Sequence, residues 1–363
     1  MINEESPPER EALAEDRTPS NGDSANPASG TDSTTESDHA SATPPDESSP
    51  IAGLFDRVTR EIAKIYVGQE DFVRGTLVAL FAGGHVLIES VPGLGKTLLV
   101  RVLGRVLGCQ FNRIQFTPDL MPTDVTGAPI YDMHEQQFRF RPGPVFTQLL
   151  LADEINRAPA KTHSALLEIM QERHVTIDGT RYPIEAPFLV LATQNPIESE
   201  GTYNLPEAQL DRFMFKVVVD YPSDVEESDI LRLHCRPVSV EQGIEQIETV
   251  TGPEEIQEAQ WHCNSVSVDD KVIDYISAIV RRTREWPQLY LGASPRAGIS
   301  LLAGARVLAT FRGRDFVVPD DVVDLALAAL RHRVILSPEA EVEGRRTDDV
   351  IMEIVRSIEV PRL

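Results

Sequence analysis

The feature that most constrains the fold is residues 84–107, where an apolar run, a glycine turn and a helical run follow one another directly. The segment reads GHVLIESVPGLGKTLLVRVLGRVL. It predicts a buried strand, a loop and a helix. Gly93 and Gly95 allow the backbone N–H groups to converge on one point, and the next helix adds the positive end of its dipole there. The segment therefore predicts a phosphate-binding loop.

The residue types at this turn indicate which phosphate compound binds. In the Walker A pattern G-x-x-x-x-G-K-[ST], the lysine reaches the β- and γ-phosphates and the hydroxyl ligates Mg²⁺. Lys96 and Thr97 stand at those positions, while Ser90 replaces the first glycine. A chance turn between core elements would not explain this lysine and threonine, so we expect ATP and Mg²⁺. The residues expected to bind the nucleotide are Pro92, Gly93, Leu94, Gly95, Lys96, Thr97 and Leu98.

Two further apolar strands end in polar residues. LLLADE, residues 149–154, ends in two carboxylates: Asp153 is expected to hold Mg²⁺ through water, and Glu154 to polarise the attacking water. The alternative is a strand end capped by solvated acids. FLVLATQN, residues 188–195, is expected to pair with it in a parallel sheet, with Asn195 near the γ-phosphate. The alternative for Asn195 is a cap or turn before Pro196.

Weaker signals mark three further positions along the chain. The turn at Val67 and Gly68 separates two helical runs, and we expect it to line the adenine pocket. Arg212 precedes the strand predicted at 214–220, and a local ion pair with Asp211 is one explanation for its presence there. Arg296 lies on the first turn of a helix, where the dipole disfavours a cation unless an anion offsets it. A nucleotide phosphate would supply that anion.

Composition divides the chain into three parts. Residues 1–50 are rich in Ser, Thr and Pro, with twelve acidic residues against two arginines, so we expect a disordered solubilising tail or a regulatory one. Residues 51–223 alternate strand and helix patterns, which predicts an α/β core. Within it, 119–145 predicts a helix-to-hairpin insertion and 175–184 a hairpin. Residues 224–363 predict a helical second domain, in which Asp320 is expected to cap a helix.

Charge and cysteine content exclude several classes of protein. The formal net charge is −23 with only five lysines, which argues against a nucleic-acid-binding surface. Three cysteines without a CxxC spacing are typical of a reducing compartment. The acidic N-terminus shows no signal peptide, and the apolar runs are too short for a membrane span. We expect a cytoplasmic protein.

Four motifs together resemble the MoxR family of AAA+ ATPases, and the resemblance covers nearly all of residues 51–363. They are GHVLIESVPGLGKT, LLLADEINRAPAKTHSALLEIMQE, ATQNPIESEGTYNLPEAQLDRF and GASPRA. The resemblance implies an α/β fold: an αβα P-loop core with a five-stranded parallel sheet, plus a C-terminal all-α lid. It also implies a homo-oligomeric ring, usually a hexamer, with the nucleotide between subunits.

The resemblance also implies a role for each matching residue. Lys96 and Thr97 correspond to the Walker A pair, and Asp153 and Glu154 to the Walker B pair. Asn195 corresponds to sensor 1, Arg296 to sensor 2 and Arg212 to the arginine finger. We therefore expect Arg296 to face the nucleotide of its own subunit and Arg212 to reach the site of the neighbouring subunit. The segments 119–145 and 174–184 correspond to the helix-2 insert and the pre-sensor hairpin, which line the pore of the ring.

Members of the family resemble chaperones that mature client proteins, often with a partner carrying a von Willebrand factor A domain and often inserting a metal cofactor. A magnesium-chelatase-type subunit shares this core and is one alternative. A nucleic-acid motor is another, but acidic residues interleave with the arginines of both predicted hairpins. Glu154 argues against a scaffold that binds nucleotide without hydrolysis.

Overall fold

The computed structural model describes residues 50–196, 203–235, 237 and 239–362. These residues belong to one compact unit. The predicted tail lies outside the described residues except for Pro50, which begins the first helix. The division between a core at 51–223 and a lid at 224–363 stays a prediction. Within the described ranges no helix is both long enough and apolar enough to span a bilayer.

Helices and strands alternate through the first part of the chain, and helices dominate the second. The helices are α1 (Pro50–Ala63), α2 (Glu70–Phe81), α3 (Lys96–Val106), α4 (Pro122–Thr126), α5 (Ala160–Glu172), α6 (Glu207–Leu210), α7 (Asp224–His234), α8 (Val240–Gln246), α9 (Pro253–Ser265), α10 (Asp270–Glu285), α11 (Pro295–Phe311), α12 (Pro319–Leu330), α13 (Pro338–Val342) and α14 (Thr347–Arg356). The strands are β1 (Val86–Ser90), β2 (Phe111–Gln115), β3 (Gly127–Asp132), β4 (Gln137–Pro142), β5 (Leu149–Asp153), β6 (His174–Ile177), β7 (Thr180–Pro183), β8 (Leu189–Gln194), β9 (Phe215–Val219), β10 (Leu289–Leu291) and β11 (Ile335–Leu336).

Five of these strands form one parallel sheet in the order β2-β5-β8-β1-β9. The central strands are buried on both faces, which explains why their sequences are continuous apolar runs rather than alternating ones. The predicted pairing of the two strands that end in polar residues is confirmed, because β5 pairs with β8 from Leu149↔Leu189 onward. A five-stranded parallel sheet flanked by helices is the fold class that the sequence predicted.

Two opposite edges of the sheet matter for function: the edge at which the parallel strands end and the edge at which they begin. Because all five strands run in one direction, Ser90, Asp153 and Gln194 end their strands at one edge. His85 and Met214 precede β1 and β9 at the opposite edge. A strand rises about 3.3 Å per residue, so the five residues of β1 separate the two edges by roughly 16 Å.

Both predicted hairpins form outside the main sheet. In the insertion, α4 leads into the antiparallel pair β3–β4, and the pair β6–β7 turns at Asp178-Gly179. The two hairpins touch through the rings of Phe140 and Tyr182, whose centroids are 4.1 Å apart. This contact joins the segments that the resemblance assigns to the pore.

The helical part differs from the expectation in two details. A short antiparallel pair, β10–β11, interrupts the helices. The predicted capping role of Asp320 is wrong: Val318 is the N-cap of α12, and Asp321 Oδ2 accepts the hydrogen bond from the Val318 N–H at 3.0 Å. The reason is that Pro319 occupies the first helical position, which suits its fixed φ and missing N–H, and this shifts the cap upstream.

Candidate functional site

The phosphate loop has the geometry that an anion site requires. Gly93 and Gly95 adopt φ of 88° and 74°, which L side chains rarely adopt. No heavy atom lies within 4 Å of the position of a Cβ on Gly93, so the loop is open above that residue. Gly95 caps α3 without a side chain, which leaves the first N–H groups of the helix to a ligand. The loop therefore fits a phosphate group.

Lys96 lies beside the two carboxylates that the sequence assigned to the same site. Burial lowers the pKa of the Lys96 ammonium group, while the charges of Asp153 and Glu154 raise it. Its Nζ donates to the Val91 carbonyl at 3.5 Å. The hydroxyl of Thr97 and the carboxylate of Asp153 are oxygen ligands of the kind that Mg²⁺ prefers. These side chains therefore fit a Mg²⁺–nucleotide complex.

Asp153 is held from both neighbouring strands. Thr193 Oγ1 on β8 donates to Asp153 Oδ1 at 2.6 Å, and Arg113 Nη2 on β2 donates to Asp153 Oδ2 at 2.6 Å. Sequence reasoning missed both partners. Arg113 had a visible signal, because it is the one charged residue in the strand-like run 111–116. Thr193 had a weaker signal, as a hydroxyl two residues before Asn195.

Glu154 follows β5 in a left-handed conformation, with φ of 55°. A non-glycine residue in that region carries strain of about 1–3 kcal/mol, which is common at functional sites. Gln115 Nε2 donates to Glu154 Oε2 at 2.7 Å, and Arg157 Nε lies 3.1 Å from the same oxygen. Asn195 is nearly buried just after β8 at the same edge. Gln115 is a further residue that sequence reasoning missed.

The predicted adenine turn packs beside the phosphate loop. Tyr66 precedes Val67, and its hydroxyl donates to the Leu94 carbonyl at 3.4 Å. Burial raises the pKa of the Tyr66 hydroxyl, so the group stays a donor. Gly68 packs so closely on Glu226 of α7 that a Cβ there would overlap its carboxylate. The turn thus lies next to the loop, and its contact with adenine stays a prediction.

Arg212 and Arg296 lie at the other edge of the sheet. They line a cavity of about 330 Å³ whose walls include Gly84 and His85, immediately before β1. Arg173 and Arg333 line the same cavity. The expectation that Arg296 faces the nucleotide of its own subunit is wrong, because β1 separates this edge from the phosphate loop by roughly 16 Å. The helices around α11 dock at the starts of the strands rather than at their ends.

The proposed ion pair between Asp211 and Arg212 does not form either. Asp211 Oδ1 accepts from Arg333 Nε at 2.8 Å, whereas Arg212 Nη1 donates to the Leu167 carbonyl at 2.9 Å. One chain therefore carries the phosphate loop and the carboxylates at one edge of its sheet and a cluster of arginines at the other.

Comparison with known proteins agrees with this architecture. The family described as "ATPase family associated with various cellular activities (AAA)" matches residues 85–215, and the AAA lid domain family matches residues 281–354. The crystal structure of a protein from Cytophaga hutchinsonii, provisionally described as an ATPase, superposes with a TM-score of 0.79 at 41% identity. That match covers 86% of this chain and 96% of the other.

Three curated proteins show similarity over most of their length. The uncharacterized protein YeaC of Bacillus subtilis is 46% identical, covering 85% of this chain and 95% of YeaC. Chaperone MoxR1 of Mycobacterium tuberculosis is 44% identical, covering 85% and 83% respectively. Protein MoxR of Methylorubrum extorquens is 33% identical, covering 83% and 92%. With its parallel sheet, phosphate loop and carboxylates, the chain belongs to the MoxR family of AAA+ ATPases.

Proposed function

We propose that this protein hydrolyses ATP to ADP and phosphate, with Mg²⁺, at sites shared between adjacent subunits of a ring. The observation that carries the proposal is the separation within one chain. Lys96 and Glu154 lie at one edge of the sheet, and Arg212 and Arg296 line a cavity at the other. A head-to-tail contact that brings these two edges together repeats from subunit to subunit, and it closes into a ring when the rotation between neighbours divides a full turn evenly.

In the proposed reaction, each residue of the shared site has a separate role. Lys96 and the loop N–H groups bind the phosphates, Thr97 and Asp153 hold Mg²⁺, and Asn195 orients the attacking water. Mg²⁺, when bound, neutralises charge on the phosphate oxygens. Glu154 accepts the proton of the water. Arg212 and Arg296 of the neighbouring subunit offset the charge that develops on the transferring γ-phosphoryl group.

The wider role proposed is that of a chaperone-like ATPase that remodels or matures client proteins. It rests on the relative described as a chaperone and on the exposed side chains of the β3–β4 hairpin. Ile130, Tyr131, Met133 and Phe138 are 46%, 46%, 81% and 72% exposed. Such an apolar surface suits polypeptide rather than a polyanion, and Arg139 is paired with Glu135. This favours a client protein over nucleic acid.

The family resemblance extends the proposal to a hexamer, to a cytoplasmic location and to a partner with a von Willebrand factor A domain. Metal-cofactor insertion is one form that client maturation takes in the family. A magnesium-chelatase-type ATPase subunit remains the second candidate, because it shares the core. Copurification from the native host tests the proposed partner, and a von Willebrand factor A protein among the bound proteins would favour the first candidate.

Mixing inactive variants tests the shared site. We expect Lys96→Ala to lose ATP binding, Glu154→Gln to bind ATP without turnover, and Arg212→Ala and Arg296→Ala to bind ATP but hydrolyse it at least about 10³-fold more slowly. Either arginine variant mixed with Glu154→Gln should regain part of the ATPase rate, because some interfaces then combine an intact Glu154 with an intact cavity. ATP binding is measured by calorimetry and turnover by phosphate release.

The decisive mixture is Arg212→Ala with Arg296→Ala. Arg212 and Arg296 lie at the same edge of one subunit, so a single subunit supplies both arginines to an interface. Every subunit in this mixture lacks one of the two arginines, and the mixture should therefore stay inactive. If Arg296 acted within its own subunit, some interfaces would combine an intact Arg296 from the Arg212→Ala subunit with an intact Arg212 from the Arg296→Ala subunit. Those interfaces would be complete, and the mixture would regain activity. Mixed assembly is verified by crosslinking of differently labelled subunits. Full activity of Arg212→Ala alone would remove the shared site from the proposal.

A further inference from the structure

A buried arginine in the helical part holds the segment that carries Arg212. The Arg333 side chain is 1% exposed. All its guanidinium nitrogens donate hydrogen bonds: Nε to Asp211 Oδ1, Nη1 to the Met214 and Ala329 carbonyls, and Nη2 to the Asp211 and Phe213 carbonyls and to Ser300 Oγ. The backbone on both sides of Arg212 is therefore fixed by one side chain.

The same aspartate reaches the segment that carries Arg296. Ser294 Oγ lies 2.9 Å from both carboxylate oxygens of Asp211 and donates its one proton to this carboxylate. The same hydroxyl accepts from the Arg296 N–H at 3.2 Å, as the N-cap of α11. A continuous set of hydrogen bonds thus runs from the neighbour of Arg212 to the backbone of Arg296. We call Arg333, Asp211 and Ser294 the bridge.

The bridge is an uncommon arrangement if its purpose is stability alone. Taking an ion pair out of water costs free energy that well-packed apolar residues would not cost, so a buried pair is weak evidence for stability. Burial lowers the pKa of Arg333 and the nearby charge of Arg296 lowers it further, while Asp211 raises it. What the arrangement supplies is orientation, because a planar guanidinium with all its donors engaged fixes its acceptors in space.

We infer that the bridge is a positioning device that sets Arg212 and Arg296 at a fixed separation, so that both meet one γ-phosphoryl group of the neighbouring subunit. Arg333, Asp211 and Ser294 touch no reacting atom themselves. The inference rests on the proposed function, because it concerns what the two arginines do together. It predicts that loosening the bridge slows turnover without weakening ATP binding, which belongs to the phosphate loop at the other edge.

Ser294 offers the mildest test. Ser294→Ala removes the hydroxyl that joins Asp211 to Arg296, and we expect kcat to fall on the order of tenfold, as misplaced groups commonly cause. KM for ATP should stay within roughly twofold. Ser294→Thr keeps the hydroxyl and should restore kcat. Arg333→Lys keeps the charge but loses the planar fork, so its kcat should fall further.

Ser337→Ala is the matched control for the lost helix cap. Ser337 caps α13 by accepting from the Ala340 N–H at 3.3 Å, and it lies outside the bridge. Both alanine variants should lose a few degrees of melting temperature. Only Ser294→Ala should lose kcat, and mixing it with Glu154→Gln should restore part of the rate, because the partner subunit then supplies an intact bridge.

The outcomes separate the two proposals. If Arg212→Ala is impaired while Ser294→Ala matches Ser337→Ala in kcat, the bridge has no positioning role although the shared site stands. A rise in KM at unchanged kcat, or no restoration in verified mixed rings, overturns the inference as well. If Arg212→Ala itself keeps the full ATPase rate, the shared site of the proposed function is contradicted, and the inference about the bridge falls with it. Should Arg333→Lys fail to fold, the serine variants decide alone.

Discussion

At the scale of single residues, the carboxylate expected to hold Mg²⁺ already has a cation beside it. Arg113 Nη2 lies 2.6 Å from Asp153 Oδ2, and the Arg113 side chain is 45% exposed to solvent. A guanidinium and a metal ion compete for the same oxygen. Because solvent screens the pair, its contribution is in the range of about 0.2–1 kcal/mol.

We therefore expect Arg113→Gln to lower the Mg²⁺ concentration that gives half-maximal ATPase activity, by up to about fivefold for 1 kcal/mol. The measurement is a Mg²⁺ titration of phosphate release at saturating ATP. Arg101→Gln is the control, because Arg101 pairs with Glu241 away from Asp153. A higher Mg²⁺ requirement in Arg113→Gln would instead mean that Arg113 holds Asp153 in its binding rotamer.

A second residue couples stability to pH. His85 is fully buried before β1: its Nδ1 accepts from the Val190 N–H at 3.0 Å and its Nε2 lies 3.1 Å from the Met170 carbonyl, so the ring is neutral. Burial is the main reason that the pKa of His85 is lowered from 6.5 to about 4; the hydrogen bond to the Met170 carbonyl raises the pKa, and the charge of Arg173 lowers it. The unfolded chain then binds a proton that the folded chain excludes between these pH values.

The stabilising contribution of His85 is complete above pH 6.5 and is lost as pH falls toward 4. At pH 5.5 the loss is about 1.4 kcal/mol. We expect His85→Asn to be less stable than the parent at pH 7.5, and the difference to shrink by that amount at pH 5.5. Urea unfolding of the nucleotide-free proteins at the two pH values measures it. A difference that does not vary with pH would contradict the assigned protonation state.

At the scale of elements, α11 approaches the sheet through a glycine. A Cβ on Gly304 would lie 2.7 Å from Leu325 Cδ1 on α12 and 2.9 Å from Phe215 Cζ on β9. At Gly298 of the same helix, a Cβ would lie 3.6 Å from the nearest atom, an ordinary contact. The two glycines therefore separate helix propensity from packing.

Alanine stabilises a helix interior by about 1 kcal/mol over glycine, whereas overpacking costs about 1–3 kcal/mol. Gly298→Ala should then be neutral or stabilising, and Gly304→Ala should lower the free energy of unfolding. Thermal and urea unfolding of both variants give the comparison. Equal stabilisation by both substitutions would show that α11 has room to shift away from β9.

At the scale of the whole molecule, the acidic N-terminal segment contains none of the residues assigned to the site. Its composition offers few apolar groups to bury, so it adds little to the free energy of folding. We expect removal of residues 1–44, which keeps α1 from Pro50 onward, to leave the melting temperature and the ATPase rate nearly unchanged. Calorimetry and phosphate release check this, with the full chain as reference; a large loss of stability would contradict it.

Local patterns predicted most elements of the fold. The strands β5 and β8 were recognisable because each is a continuous apolar run, and the hairpins because Gly, Pro and Asp mark their turns. The helices α8 and α9 were missed because their sequences, VEQGIEQ and PEEIQEAQWHCNS, are mostly polar. Only Ile256, Ala259 and Cys263 of α9 are buried, too few for a clear helical period.

The sequence by itself determined the phosphate loop and the carboxylates, because residues 93–97 act as one contiguous turn and Asp153 and Glu154 follow directly from a strand end. The tertiary structure alone decided which edge of the sheet receives the arginines. Asp211 and Arg333 are 122 residues apart in the chain, yet they form an ion pair directly before Arg212. Arg212 and Arg296, which are also far apart in the chain, line one cavity. The docking of α11 and α12 against the starts of β1 and β9 depends on packing contacts between residues that are far apart in the sequence. No local sequence pattern therefore predicts at which edge these helices dock.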